Sequence, residues 1–185
     1  MQRDLVEKAM DGDHEAFSEL ARHAVDRMYS VARLILRDNV RAEDATQEAL
    51  VAAWRTFHSL RDPERFDAWL RRILLNECYR EARREKVRFR HEAYVEAINP
   101  ENPFDAINDL ANRDQLERGF AHLKPDQRAL LVLHFYVGLP LAETADALGI
   151  PVGTVKSRLH RTTELLRSSL EADARTTHAI EGRPA

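Results

Sequence analysis

The segment from Pro140 to Arg161 joins two helical patterns across a very short break, and it constrains the fold more than any other part of the chain. Each pattern is a stripe of buried positions with the three- and four-residue spacing of a helix. The stripes are Leu141, Thr144, Ala145 and Leu148, then Val155, Leu159, Thr162 and Leu166. Between them, Gly149 suits the left-handed conformation that ends a helix, and Pro151 suits the first turn of the next helix. The segment therefore predicts a helix-turn-helix.

The outer face of the second predicted helix is basic and rich in hydroxyl groups. Around Gly153 it carries Thr154, Lys156, Ser157, Arg158, His160 and Arg161. Such side chains bind phosphate oxygens and base edges when a recognition helix enters the major groove. We therefore expect DNA binding here rather than catalysis. An αα-hairpin with a solvated charged face is the alternative, because a helix-turn-helix pattern alone is only moderately specific.

The rest of the chain is also helical in pattern. The 185 residues include only 6 glycines and 7 prolines, and no stretch has the alternation of a β-strand. Helical spacing runs through residues 17–35 and again from about Arg41 to Phe57. A third helix is expected after Asp62 and Pro63, a cap followed by a first-turn proline. The expected fold is all-α, with two small helical domains joined by a flexible linker, the second containing the helix-turn-helix.

Charge and proline content place the linker. Residues 65–90 contain nine basic side chains and four acids, whereas residues 91–118 contain seven acids and two basic side chains. The acidic stretch includes Pro100 and Pro103, which break a helix. We therefore expect a first domain at 1–90, an acidic linker at 91–112, a second domain at 113–172 and a disordered tail at 173–185.

Composition narrows the classes of function. The formal net charge of −3 means that DNA affinity has to come from local basic patches. The single cysteine, Cys78, allows no intrachain disulfide, and neither a HExxH pattern nor a glycine-rich phosphate loop is present. We therefore expect no catalytic residues, no metal and no cofactor. The charged N-terminal segment and the lack of a long apolar run favour a cytoplasmic protein without membrane insertion.

The predicted helix from Arg41 to Phe57 has two contrasting faces. One face is a row of small side chains at Ala42, Ala45, Ala49 and Ala53. The other carries Asp44, Gln47, Glu48, Val51 and Arg55. A mixed-charge face with an apolar side chain inside it suits docking on another protein, although an ordinary solvated face has the same composition.

The segment from His58 to Arg65 is a polar loop that leads into the basic helix. A loop at the start of a cationic helix can hold an unstacked base, as in proteins that bind single strands. Arg80, Arg83 and Arg84 lie within two turns and can contact neighbouring phosphates. A plain connecting loop is the alternative. The nearby aromatic residues are expected to be core rather than base-stacking platforms; they are Trp54, Phe57, Phe66 and Trp69.

From about Leu5 to Leu170 the chain resembles bacterial RNA polymerase sigma factors of the extracytoplasmic-function class. Four segments carry the resemblance: EDATQE at 43–48 with Trp54, FDAWLRRI at 66–73 with Asn76, LKPDQR at 123–128 and GTVKSRL at 153–159. Each is moderately specific, and their order with a linker between them is strongly specific. Leu141, Thr144 and the pair Thr162-Thr163 depart from the residues usual in the family, which puts individual DNA contacts in doubt.

The resemblance implies a role for each of these surfaces. The face with Asp44, Gln47, Glu48, Val51 and Arg55 would dock on the β′ clamp of core RNA polymerase. The loop from His58 to Arg65 would capture a base flipped from the minus-ten element, and Asn76, Arg80, Arg83 and Arg84 would follow the melted strand. The helix after Pro151 would enter the minus-thirty-five element while the second domain rests on the β flap. The acidic linker would extend toward the RNA-exit channel, and an anti-sigma factor is a further expected partner.

Two other functions remain possible from the sequence. The stronger is a stand-alone helix-turn-helix regulator, whose first domain would sense a signal or dimerise, and which would bind an operator without polymerase. The other is an adaptor that binds polymerase without recognising promoters. Neither accounts for both the face around Glu48 and the predicted recognition helix.

Overall fold

The computed structural model describes residues 2–91 and 110–181, and these residues form eight α-helices and no β-strand. The helices are α1 (Gln2–Met10), α2 (His14–Leu36), α3 (Asn39–Thr56), α4 (Phe66–His91), α5 (Leu110–Ala121), α6 (Pro125–Leu131), α7 (Leu141–Leu148) and α8 (Val152–Glu181). The predicted all-α fold is confirmed. They group into two compact units, α1 to α4 in the first, and α5, α6, α8 and most of α7 in the second. The predicted linker lies, apart from its ends, outside the described residues.

The first unit is built on α2, whose buried side chains follow one stripe along more than five turns. Asp13 caps its start by accepting hydrogen bonds from the backbone N–H groups of Glu15 and Ala16. Its end is marked by Arg37 in the left-handed conformation, with φ of 56°. Asp38 then caps α3 by accepting from the N–H of Arg41. These caps set the tight turn that lets α3 pack back against α2.

Small side chains bring α3 close to its neighbours. The predicted inner row is completely buried; it comprises Ala42, Ala45, Ala49 and Ala53. Helix α3 packs against both α2 and α4 along this row. On α4, the facing core includes Leu70, Leu74, Leu75 and Cys78. Alanine is suited to such a position because it fills little volume and costs no side-chain entropy in a helix.

The start of α4 is as the sequence predicts. The Asp62 carboxylate accepts a hydrogen bond from the N–H of Glu64, and Pro63 opens a 3₁₀ turn, Pro63–Arg65, that leads into α4. Phe66 and Leu70 are buried, whereas Trp69 and Ile73 are half-buried. Arg41 joins α3 to α4 by pairing with Glu85 on α4 and with Asp38 at the cap of α3.

The second unit packs α5 and α6 against α8. Gly119 on α5 permits a close approach, because a Cβ built there would be 2.7 Å from Leu166 Cδ1 and 3.0 Å from Leu170 Cδ2. In α6 the buried residues include Ala129 and Leu130. Helix α6 ends at Leu131 and passes into one π-helical turn, Val132–Tyr136.

The turn between α7 and α8 follows the predicted design with one difference. Gly149 has φ of 66°, the left-handed conformation expected of it. Pro151 precedes α8 instead of lying inside its first turn, and its carbonyl accepts hydrogen bonds from the N–H groups of Thr154 and Val155. Pro151 therefore occupies the N-cap position of α8. Its missing N–H costs no hydrogen bond there, just as it would cost none in the first turn.

Helix α8 extends past the end of the predicted second domain and into the segment that was expected to be a disordered tail. It continues to Glu181, beyond residue 172, where the sequence analysis ended that domain. No proline or glycine occurs between Thr154 and Glu181, so no residue in that interval removes an N–H or favours a left-handed turn. Within the described ranges, no helix combines the length and the apolar composition that a membrane span requires.

Candidate functional site

The outer face of α3 presents the five side chains expected for docking. Asp44, Gln47, Glu48, Val51 and Arg55 are all exposed, while the opposite row of alanines is buried. The face therefore consists of two acids, an amide, a guanidinium and one apolar side chain. None of the five has a recorded ion pair or side-chain hydrogen bond in the described part of the chain.

Two apolar side chains extend this face beyond what the sequence analysis assigned. Val40 is 67% exposed at the start of α3, and Trp54 is 38% exposed near its end. The sequence already places both on this face by helical spacing, because Val40 precedes Asp44 by four residues and Trp54 follows Val51 by three. The Trp54 ring packs against His14 and Phe17 in tilted arrangements, with centroid distances of 4.6 and 4.9 Å. The docking face, defined by these seven residues, thus has an apolar component along its length.

The segment from His58 to Arg65 forms a polar rim over packed rings. It consists of two 3₁₀ turns, with His58, Arg61 and Arg65 exposed and Leu60 buried. Directly before it, Phe57 makes edge-on contacts with Phe17 and Trp69, with centroids 5.3 and 5.5 Å apart. The expected core role is correct for Phe57 and Phe66, which are buried, but wrong for Trp54, which is exposed because it lies on the outer side of α3; Trp69 is half-buried. The loop is therefore anchored from beneath while its polar groups point outward.

Along α4, the exposed face carries all four predicted contact residues and one more. Asn76, Arg80, Arg83 and Arg84 are exposed, as expected. Arg72 is exposed one turn before Asn76 and was missed, although its four-residue spacing from Asn76 was visible in the sequence.

The arginines of α4 differ in how their charges are neutralised. Arg80 pairs with Glu77 at 2.8 Å, and Arg84 pairs with Glu81. Both carboxylates are buried, so they reduce the field of these two arginines. In the described ranges, Arg72 and Arg83 take part in no recorded ion pair. The least compensated positive charge on this face therefore lies at Arg72 and Arg83.

On α8 the outer face has the predicted composition. Lys156, Ser157, Arg158, His160 and Arg161 are exposed, and Thr154 is half-buried. The inner stripe is anchored by Val155 and Thr162, both buried. The Ser157 hydroxyl donates to the Thr154 carbonyl at 3.0 Å, which leaves its oxygen lone pairs able to accept from another group.

Comparison with known proteins identifies the family of this chain. Residues 20–88 match the family model for sigma-70 region 2, and residues 113–166 match that for sigma-70 region 4. The RNA polymerase sigma-E factor of Streptomyces coelicolor is 34% identical over 171 residues, covering 92% of this chain and 94% of that protein. The ECF RNA polymerase sigma factor SigM of Mycobacterium tuberculosis is 32% identical over 165 residues, covering 85% and 79%.

A solved structure agrees as well. CnrH, in complex with the cytosolic domain of CnrY, superposes with a TM-score of 0.65 at 28% identity, covering 93% of this chain and 98% of CnrH. These matches confirm the resemblance seen in the sequence. They favour a sigma factor over the stand-alone regulator. The chain belongs to the sigma-70 family and is an RNA polymerase sigma factor of the extracytoplasmic-function class.

Proposed function

We propose that three surfaces of this sigma factor divide the work of promoter recognition. The docking face of α3 binds the β′ clamp of core RNA polymerase. The loop from His58 to Arg65 and the exposed face of α4 hold the melted minus-ten strand. Helix α8 contacts the minus-thirty-five element, and the second unit rests on the β flap. The observation that carries the proposal is the sharp separation on α3 between a completely buried alanine row and an exposed mixed-charge face.

The composition of the docking face supports protein binding over a purely solvated role. Val40, Val51 and Trp54 remain exposed beside Asp44 and Glu48. Apolar and aromatic side chains supply most of the affinity at interfaces, while charges at the rim set orientation and association rate. A face with both components suits one defined partner surface.

The minus-ten role is supported by the position of the polar rim beside a cationic helix. Unstacking a base costs a few kcal/mol, and a protein that binds only the extruded base offsets part of that cost. Arg72 and Arg83, with Arg80 and Arg84, can contact successive phosphates of the displaced strand, and Asn76 can bind a base edge or sugar. His58 and Arg65 lie at the two ends of the rim.

The partner set includes a regulator. CnrH was solved in complex with the cytosolic domain of CnrY, so one relative of this chain is bound by another protein. We propose that an anti-sigma factor likewise binds this chain and keeps it from core polymerase.

The docking proposal is tested with the double variant Asp44→Ala/Glu48→Ala and titration against fluorescently labelled core polymerase. We expect affinity to fall at least about tenfold, corresponding to about 1.4 kcal/mol. Asp26→Ala, an exposed acid on α2, is the control and leaves affinity unchanged. Unchanged affinity of the double variant, with intact helical circular dichroism, would contradict the docking role.

The promoter proposal is tested by run-off transcription from a fragmented genomic library with core polymerase, with and without the protein. Discrete new start sites that share two short upstream elements are expected. The variant Lys156→Ala/Arg158→Ala should weaken selection of these starts while core affinity stays the same. If that variant uses the same starts equally well, α8 is not the element that contacts the upstream sequence.

A further inference from the structure

Three cations surround a groove between the start of α6 and the side of α8. Lys124 immediately precedes α6, and Arg158 and Arg161 lie one turn apart on α8. The groove has a volume of about 260 Å³, and Leu130 and Thr162 form its buried wall. Lys124 was not assigned a role from the sequence, because it is separated from α8 by about thirty residues of chain and only the packing of α6 on α8 brings it there.

The charges at this groove are uncompensated. In the part of the chain that the structure describes, none of the three side chains takes part in a recorded ion pair or side-chain hydrogen bond. Among the described residues that line the groove, Asp126 is the only acid, so the positive charge there exceeds the negative by two. Arg80 and Arg84 on α4, by contrast, are held by buried carboxylates. A site with excess positive charge and free donors on two elements favours a multidentate anion.

The position of Arg158 on α8 argues against contact with base edges. Arg158 lies three residues after buried Val155 and four before buried Thr162, so it borders the face that packs in the unit. Ser157 and His160 lie farther round the exposed side. When a helix enters a groove of DNA, the centre of its exposed side meets the bases, and its flanks meet the phosphates of the groove walls.

We propose that Lys124, Arg158 and Arg161 bind one phosphate of the promoter backbone at the edge of the minus-thirty-five element. This rests on the proposed contact of α8 with that element, and it makes Arg158 and Arg161 positioning residues. Lys124 is a new member of the DNA-binding surface. Sequence preference then depends on Ser157 and His160, whereas the groove fixes the register of α8 along the duplex.

The test uses holoenzyme assembled with Lys124→Gln and duplexes that carry either the upstream element found by run-off transcription or a scrambled sequence. Affinity is measured at several salt concentrations. We expect weaker binding to both duplexes, an unchanged ratio between them, and a slope of log affinity against log salt that is smaller in magnitude by about 0.9. Lys8→Gln, an exposed lysine on α1, is the control and keeps the wild-type slope.

The variant Asp126→Asn should change DNA affinity in the opposite direction. Removing the only negative charge of the groove should tighten binding to both duplexes, an effect that misfolding cannot mimic. A duplex with single neutral methylphosphonates then locates the contact, because the position that weakens wild-type binding should have no effect with Lys124→Gln. The proposal is overturned if the salt slope of Lys124→Gln is unchanged. It is also overturned if every methylphosphonate that weakens wild-type binding weakens binding of Lys124→Gln equally.

Two further results distinguish failure of the phosphate proposal from failure of the proposed contact between α8 and the minus-thirty-five element. If Lys124→Gln weakens binding to core polymerase without DNA, the groove holds an acidic segment of polymerase, and the phosphate proposal is wrong. If Ser157→Ala/His160→Ala leaves the ratio between the two duplexes unchanged while Lys124→Gln changes the salt slope, the minus-thirty-five role of α8 fails but the phosphate contact stands.

Discussion

At the scale of single residues, Cys78 shows how packing decides chemistry. Its side chain is completely buried on α4. Burial, with a further contribution from the negative charge of Glu77, raises the pKa of the Cys78 thiol to about 12. The thiolate is the reactive form of cysteine, so the native protein contains almost none of it at neutral pH. Cys78 is therefore a packing residue, as its place on the apolar side of a helix predicts.

We predict that Cys78 resists alkylation by iodoacetamide in the folded protein at pH 8. An unfolded cysteine has a pKa near about 8.5 and reacts readily at that pH. Modification, followed by mass spectrometry, should therefore rise with urea along the unfolding curve. The thiolate forms only as pH exceeds the thiol pKa, so native reactivity should stay low until strongly alkaline pH. Complete modification of native protein within minutes would contradict the buried placement.

The pairing of Arg80 with Glu77 predicts different consequences for two neighbouring arginines. Arg80→Ala leaves the buried Glu77 carboxylate without its partner, which should lower the free energy of unfolding by about 1–3 kcal/mol. Arg83→Ala removes an exposed side chain with no recorded ion pair, so stability should change by less than about 0.5 kcal/mol. Urea denaturation measures both. Equal stability of the two variants would show that Glu77 is solvated after Arg80 is lost.

At the scale of elements, two helical glycines form a matched pair. A Cβ at Gly119 would lie 2.7 Å from Leu166 Cδ1, whereas a Cβ at Gly153 would have no atom within 4 Å. Alanine gains up to about 1 kcal/mol over glycine within a helix, but overpacking costs about 1–3 kcal/mol. Gly119→Ala should therefore destabilise the second unit, and Gly153→Ala should stabilise it slightly. Thermal denaturation gives the sign, and a stabilised Gly119→Ala variant would show that Leu166 moves aside freely.

The helices were predictable because their signals are local. The alanine row of α3 follows from its spacing, and the start of α4 follows from Asp62 and Pro63, since capping involves neighbouring residues. The role of Gly119 was not predictable, because it depends on how closely α5 approaches α8. From sequence alone, a glycine within a helix indicates only a helix-propensity cost. The end of α6 at Leu131 was likewise missed, because no proline or glycine marks the π-helical turn.

On the candidate surfaces too, features set by local sequence were predictable, and features set by packing between helices were not. Exposure of Asp44, Glu48 and Asn76 follows from periodicity, and the same rule would have added Arg72, Val40 and Trp54. The spacing of Glu77 and Arg80 was visible, but the burial of Glu77 depends on the packing of α4 against α2 and α3. The groove at Lys124 required α6 and α8 together, so no local pattern could indicate it.

At the scale of the whole molecule, the charge of each surface matters more than the net charge of the chain. The formal net charge of −3 gives no general attraction to DNA. Positive charge is concentrated on the exposed face of α4 and around α8, while the docking face of α3 carries two acids. We therefore expect this protein to bind DNA weakly alone and to depend on polymerase to hold both units against the promoter. Selectivity then comes from assembly, because each unit contributes only part of the affinity.

The two units have separate cores, and this predicts independent responses to mutation. Both tryptophans, Trp54 and Trp69, lie in the first unit, so their fluorescence monitors its unfolding, whereas circular dichroism monitors all helices. Arg41→Ala breaks the link from α3 to Glu85 and should lower the stability of the first unit by about 1–3 kcal/mol. Its fluorescence transition should move to lower denaturant concentration.

Gly119→Ala should act on the other unit only. The fluorescence transition should match that of the wild type, while part of the circular dichroism signal is lost at lower denaturant concentration. In the double variant the two effects should add within about 0.5 kcal/mol, as expected for sites without shared partners. If Gly119→Ala shifts the fluorescence transition as much as the circular dichroism, the units unfold as one cooperative body. Their stabilities would then be coupled, and a defect in promoter contact could not be assigned to one unit from its position alone.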